Sequence, residues 1–490
     1  MSSGGVTSGP TDDPVEAARQ AAEQAEQVAA EARRRADELA AAAQEAATAA
    51  REPEPAPAPA PAPVPEPTSI VETVQAGYAF DGPALELGVL VVDGEPEPAA
   101  PVRIPVGMLN RHGLVAGATG TGKTRTLQLM AEQLSAAGVA VFAADIKGDL
   151  SGLSVPGESS PKLLERCAGI GQDWEPAGTP TEFFTLGGRG TGVPVRATVE
   201  SFGPVLLARV LDLNTTQESS LSLVFHWARK AGRPLVTLAD LRAAVQHLVS
   251  AEGKADLTDL GGLSKATAGV ILRELIGFAD GGADVFFGTP QIRTEDFLRV
   301  DEQGRGIVSL LELPSVHDQP ALFSTFLMHL LTQLFSDLPE VGDLDRPKLV
   351  FFFDEAHLLF RDASKDFLET VAQTVRLIRS KGVGIVFVTQ TPKDVPADVL
   401  AQLGSRVQHQ LRAHTPDDAK ALRATVSTYP HSTYDLAEVL TQLATGEAVV
   451  TVMSEKGAPT PVAWTRLRAP QGSMEPAPPE HVAAAVAASP

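Results

Sequence analysis

Residues 117–124 read GATGTGKT and fit the pattern G-x-x-x-x-G-K-[ST]. Gly117, Gly120 and Gly122 let the backbone curl, so that its N–H groups and those of Ala118, Thr119 and Thr121 can point at phosphate oxygens. Lys123 can then reach the β- and γ-phosphates of a nucleoside triphosphate, and the Thr124 hydroxyl can bind Mg2+. Arg125 continues into a helix whose N-terminal dipole favours anions. ATP with Mg2+ is the expected cofactor pair.

A phosphate loop needs a carboxylate on the metal side and a base for water. The stretch LVFFFDEAHLLF, residues 349–360, supplies both at the end of a continuous apolar run. Asp354 is the natural metal-side acid, and Glu355 can polarise the attacking water as general base. His357 lies past the strand, and no role is readable for it. A second apolar run, VGIVFVTQ, ends in Gln390. In a parallel sheet the carboxyl ends of the strands face the ligand crevice, so Gln390 can bond the γ-phosphate and the lytic water.

Two further groups stay open between readings. Asp145 and Asp149 flank Lys147 in ADIKGDLSGL. They form either an internal salt-bridge cluster or part of the nucleotide crevice. Arg376 and Arg379 lie three apart near a helix end, where cations complement the dipole. The other reading makes Arg379 an arginine finger entering a neighbouring subunit's site. With Lys381, Lys393, Arg406 and Arg412, these arginines form a basic island in sequence, which is either plain surface or a nucleic-acid or inter-subunit face.

The elements that must position these residues follow from periodicity. The segment HGLVAGATGTGKT, a helix over 123–137 with Leu127, Met130, Ala131 and Leu134 on one face, and a strand over 139–145 make a βαβ unit. Further apolar strands are expected at 305–313, 348–355 and 383–390, with an alternating β segment at 447–453 and helices at 321–335 and 365–380. The fold class is therefore α/β: a mainly parallel sheet with helices on both faces. Residues 69–110 read as a short β segment, and about 160–300 as a mostly helical insertion in an ATPase domain over 111–468.

Both ends differ in composition. Residues 1–52 are Ala-rich and helix-prone, an extended helical tail that is either solvated or a partner helix. Residues 53–68 alternate Pro and Ala as an extended linker. Residues 469–490 return to Pro and Ala and are expected to be a disordered tail. No apolar run is long enough for a membrane span, and one cysteine, Cys167, excludes an intrachain disulfide. A cytoplasmic, membrane-free protein is expected. The net charge is −21, so any nucleic acid must meet a local basic surface.

The segments NRHGLVAGATGTGKT, DIKGDLSGL, GPVLLARVLDLNTTQESSL, PKLVFFFDEAHLLF, VRLIRSKGVGIVFVTQTP, LGSRVQHQLRAHTPDDAKA and GEAVVTV are collinear with a known family. The chain from about 100 to 468 resembles the HerA-like ATPases of the HerA/FtsK superfamily, in their YjgR-type bacterial branch. The resemblance implies a RecA-like core, a ring homo-oligomer, usually a hexamer, with ATP between subunits, and relatives that pump or unwind double-stranded DNA. By position it assigns Lys123 and Thr124 to the phosphate loop and Asp354 and Glu355 to metal and water. It also makes Gln390 the sensor and Arg379 the trans finger. The chain departs from the family in having only about 30 residues where a β-barrel would precede the core.

Overall fold

The computed structural model describes residues 69–257, 261–314, 320–342, 344–361 and 365–489. The Ala-rich tail and the Pro-Ala linker, residues 1–68, lie outside the described residues. Twelve strands form one sheet in the order β2-β1-β12-β11-β10-β3-β9-β8-β4-β7-β5-β6. In chain order they are β1 Ala84–Val92, β2 Glu95–Pro105, β3 Gly113–Ala116, β4 Ala140–Asp145, β5 Thr181–Leu186 and β6 Val193–Val195. The rest are β7 Val308–Glu312, β8 Leu349–Phe353, β9 Val383–Thr389, β10 Ser405–Gln408, β11 Glu447–Thr451 and β12 Ala463–Leu467.

From β10 to β6 every neighbouring pair is parallel. From β10 outward through β11, β12, β1 and β2 every pair is antiparallel. Residues 69–110 thus join the main sheet at its antiparallel edge. The stretch expected as a mostly helical insertion also supplies β5 and β6, which lengthen the parallel part. Its helices include Thr215–Lys230, Leu238–Val249 and Lys265–Asp280.

The central strands are apolar throughout because both faces are covered. On β8, Phe351 and Phe353 enter one core with Leu331 and Leu334 of the helix Pro320–Asp337 and Val375 of the helix Lys365–Ile378. Val350 and Phe352 point the other way, to Leu127, Met130, Ala131 and Leu134 of the helix Lys123–Ala136. Each such buried side chain contributes about 1.5–3 kcal/mol. This double burial fixes the register of β8, and hence where Asp354 and Glu355 emerge.

Polar pins fix the rest. The buried His112 ring accepts the Ile385 N–H at Nδ1 (3.0 Å) and so donates from Nε2 to the Val375 carbonyl (2.7 Å). It ties the start of β3 to β9 and to the helix Lys365–Ile378, and burial holds its pKa down at about 4.

The expectation of a disordered C-terminal tail fails for the described residues. Residues 469–477 form a strap across the helix Lys123–Ala136. The buried Glu132 carboxylate accepts the N–H groups of Gln471 and Gly472, each at 2.8 Å. Trp174 Nε1 donates to the Pro470 carbonyl at 2.8 Å, and the Ala477 N–H donates to Ser151 Oγ at 3.0 Å. The strap leads into a helix, Pro479–Ala488, whose Val482, Ala485 and Val486 pack on the sheet. Proline and alanine do not forbid order when backbone donors find a buried acceptor.

Candidate active site

Six parallel strands deliver their carboxyl ends to one edge: the loop after β3, the 145–149 turn after β4, Glu312 on β7, Asp354 and Glu355 after β8, Gln390 after β9, and His409 after β10. The loop between β3 and its helix turns through left-handed backbone at Gly120 (φ 82°) and Gly122 (φ 111°). Gly122 caps the helix Lys123–Ala136, and no side chain bonds its first turn. Those first N–H groups remain for an anion. A Cβ at Gly117 would stand 2.5 Å from the Cβ of His409, so only glycine fits there.

Residues 408–412 buttress the loop from below. The Ala118 N–H donates to the Gln410 carbonyl (2.8 Å), and Arg412 donates to the Thr119 carbonyl (3.2 Å). His409 is buried beside the loop, with Nε2 2.9 Å from Thr126 Oγ1. Burial, then the Lys123 charge, push its pKa down to about 4. No role for His409 is readable from the sequence. Its signal was only its place after a strand in a resembling segment.

Lys123 is buried and lies across the loop, donating to the carbonyls of Gly117 (2.7 Å) and Ala118 (3.1 Å). Burial lowers its pKa, against the attraction of Glu355 and Asp354. Thr124 Oγ1 lies 3.4 Å from Asp149 Oδ2, so Asp149 competes for the hydroxyl expected on the metal. Arg125 donates to Gln128 Oε1 at 2.8 Å and, through its second terminal nitrogen, to the Met474 carbonyl of the strap.

Asp354 and Glu355 are both buried at the end of β8. Burial, reinforced by the Glu355 charge, raises the Asp354 pKa to about 7. Glu355 behaves oppositely. Burial would raise its pKa, but Lys147 and His357 outweigh that and hold it at about 2. Lys147 Nζ is hydrogen-bonded to Glu355 Oε1, and His357 Nδ1 lies 3.2 Å from Oε2. That approach falls outside hydrogen-bonding geometry. Glu355 is also one of four non-glycine residues at positive φ among the described residues, at 48°. The turn that aims it costs roughly 1–3 kcal/mol and is held by the Ala356 N–H bond to the Val388 carbonyl (2.8 Å).

Asp145 makes no ion pair with Lys147. Its carboxylate instead organises the turn, accepting N–H groups from Gly148 (2.7 Å) and Leu150 (2.8 Å), among others. Lys147 is thereby free to reach Glu355. Glu312 was missed, although the rule that singled out Gln390 applies to it: it ends a strand on the crevice edge, opposite Asp145. Burial, then the charges of Asp145 and Asp149, push its pKa up to about 8.

Gln390 is exposed and shares a cleft with Ala118, Thr119 and Arg412. Arg379 does not join this site in the same chain. It precedes β9, whereas Gln390 follows it, and seven strand residues separate the two edges by about 20 Å. The basic island therefore splits. Lys393 and Arg412 flank the phosphate loop, Lys393 and Arg406 line a neighbouring cleft, and Arg376, Arg379 and Lys381 lie at the opposite sheet edge.

The donor set fits Mg2+. A hydroxyl and a buried carboxylate are few protein ligands for any metal. Among the described residues no three His, Cys, Asp or Glu side chains could hold an ion by themselves. Mg2+ characteristically takes one or two such ligands and completes its shell with water and substrate phosphates.

Fold and site together define a P-loop nucleotide-binding protein of the RecA-like α/β class. The family model described as "Helicase HerA-like C-terminal" matches residues 91–490, and the chain belongs to that family. It is 26% identical over 357 residues to the DNA double-strand break repair helicase HerA of Sulfurisphaera tokodaii, covering 71% of this chain and 64% of that protein. Among solved structures, the bacterial conjugative coupling protein TrwB superposes with a TM-score of 0.54 at 17% identity, over 83% of this chain and 93% of TrwB. TrwB has also been solved with ADP and Mg2+, with a TM-score of 0.53 at 16% identity over 81% and 98% of the two chains. VirB4 of Thermoanaerobacter pseudethanolicus matches at 0.51 and 14% identity, over 79% and 97%. These likenesses establish the fold.

Proposed function

We propose that the protein hydrolyses ATP with Mg2+ and uses the energy as a motor on double-stranded DNA, assembled as a ring of like subunits. The observation that carries hydrolysis is the convergence of the phosphate loop, Asp354, Glu355 and Gln390 on one sheet edge. Membership of the HerA-like family supports the motor.

In this reading the loop N–H groups and Lys123 bind the β- and γ-phosphates. Glu355, kept ionised by Lys147 and His357, accepts a proton from the attacking water. Gln390 orients that water and contacts the γ-phosphate. Mg2+, when bound, would be held by Thr124 and, through water, by Asp354, and would neutralise charge on the phosphoryl oxygens. Arg379, remote from the site of its own chain, serves the site of a neighbour.

A second reading is an ATPase that drives assembly or regulation without moving on DNA. The net charge of −21 and the split of the basic residues favour it. ATPase rate measured with and without double-stranded DNA, at two salt concentrations, separates the two. A motor shows stimulation that falls steeply with salt. A flat response leaves only the second reading.

A further inference from the structure

As placed at the end of β8, neither oxygen of Glu355 can take a proton from water. Oε1 holds the Lys147 ammonium, and Oε2 is buried with no hydrogen-bond partner. A general base must come within hydrogen-bond reach of the proton that it accepts, so one of these oxygens has to be uncovered.

Lys147 is the partner that can move. Its side chain is 46% exposed against 7% for Glu355, and its ammonium rides on a flexible four-carbon stem. The turn beneath it is fixed. The Asp145 carboxylate accepts the Lys147 N–H (3.1 Å) as well as those of Gly148, Asp149 and Leu150. Glu355 is held by its own burial and by the bond from the Ala356 N–H to the Val388 carbonyl. The Lys147 side chain can therefore swing while both backbones stay in place.

Its neighbours set where it can swing to. Lys147 faces the charges of Asp354 and Asp149 besides Glu355, and its own charge opposes that of Lys123. Asp149 in turn lies against Thr124. The ammonium thus stands between the acids after β8 and the first turn of the helix Lys123–Ala136, where Lys123 would present a γ-phosphate. We propose that Lys147 is a γ-phosphate-binding residue that guards the base: it covers Glu355 Oε1 until a γ-phosphate draws its ammonium away. The proposal rests on the ATP-hydrolysis reading above and deepens it.

The exchange has a physical driving force. A γ-phosphate offers several oxygens and more than one negative charge to the three donors of the ammonium, whereas Glu355 offers one oxygen of a single charge. A nucleoside diphosphate lacks that group and leaves Lys147 on Glu355. Lys147 keeps its protons throughout. Glu355 Oε1, once uncovered, takes the proton of water as the water oxygen bonds the γ-phosphorus and the β–γ bridging oxygen leaves with ADP.

The test measures equilibrium binding of ADP and of β,γ-imido-ATP, each with Mg2+, by calorimetry for the full chain and for Lys147→Met and Lys147→Arg. In Lys147→Met the triphosphate analogue loses a cation and meets the bare Glu355 carboxylate. Its Kd should weaken about tenfold while the ADP Kd stays within about twofold, which also shows that the variant is folded. Lys147→Arg keeps the charge and should recover most of the triphosphate affinity. A lysine that only kept Glu355 ionised would leave the ratio of the two affinities unchanged. Equal weakening of both nucleotides, unchanged imido-ATP binding, or an Arg variant no better than the Met variant overturns the assignment. A crystal structure with imido-ATP and Mg2+ should place Lys147 Nζ on a γ-phosphate oxygen, and Nζ still on Glu355 overturns the exchange. A wild-type chain that binds neither nucleotide overturns the ATP reading beneath the proposal as well.

Discussion

Glu355 combines three features that a general base needs: a turn that aims it, burial that strengthens its interactions, and a cation that keeps it ionised. Replacing it by Gln removes proton acceptance and keeps the shape. Turnover should fall at least about 100-fold while ATP binding persists, measured by steady-state hydrolysis beside equilibrium binding. His329 illustrates a buried group with no such use. It lies in the core against Phe202 (ring centroids 5.3 Å), its Nε2 has no hydrogen-bond partner, and burial lowers its pKa to about 4. Between that value and the unfolded value near 6.5, only the unfolded chain takes the proton, so this group's contribution to stability is lost as pH falls. His329→Leu removes that loss. The stability gap in favour of the variant should widen by about 2 kcal/mol between pH 7 and pH 5 in urea titrations. A constant gap would mean that the ring titrates normally in the fold.

The strap is an element whose role depends on close approach. At Gly152 a Cβ would stand 2.1 Å from the Glu475 carbonyl oxygen and 2.5 Å from that of Ser473. Backbone on both sides leaves no flexible side chain to yield. Gly152→Ala should therefore lift the strap, leaving the buried Glu132 carboxylate without its Gln471 and Gly472 donors, at a cost of about 1–3 kcal/mol. Limited proteolysis should then cut within 469–477 faster than in the wild type. Equal cutting rates would show that the strap holds by other contacts. The strap was unreadable in the sequence because its composition is that of a disordered tail. Its order comes from Glu132, Gln172 and Ser151, which lie hundreds of residues away.

For the whole molecule, the distance between Arg379 and its own phosphate loop makes a subunit neighbour necessary if the arginine takes part in hydrolysis. An Arg379→Ala chain and a Lys123→Ala chain are each expected to lose activity, by about 1,000-fold or more for the arginine if it acts as a finger. Mixed, they should recover measurable hydrolysis at interfaces where an intact loop meets an intact arginine. No recovery under conditions of shown co-assembly would leave Arg379 as a helix-end cation.

Residue order alone reveals the parts whose information is local. The loop at 117–124 is recognisable because a polyphosphate cradle needs glycine, lysine and threonine in that order. The apolar runs of β8 and β9 announced buried parallel strands, and their final residues Asp354, Glu355 and Gln390 followed from the rule that strand carboxyl ends face the ligand. Tertiary structure decided what depends on contacts between distant segments. It gave Lys147 to Glu355 rather than to Asp145, and brought Asp149 to Thr124. It set Glu312 in the crevice, placed His409 beneath the loop, divided the basic island between opposite sheet edges and laid the C-terminal strap beside Arg125. Each of these hangs on which strand lies next to which, and spacing along the chain carries no trace of that order.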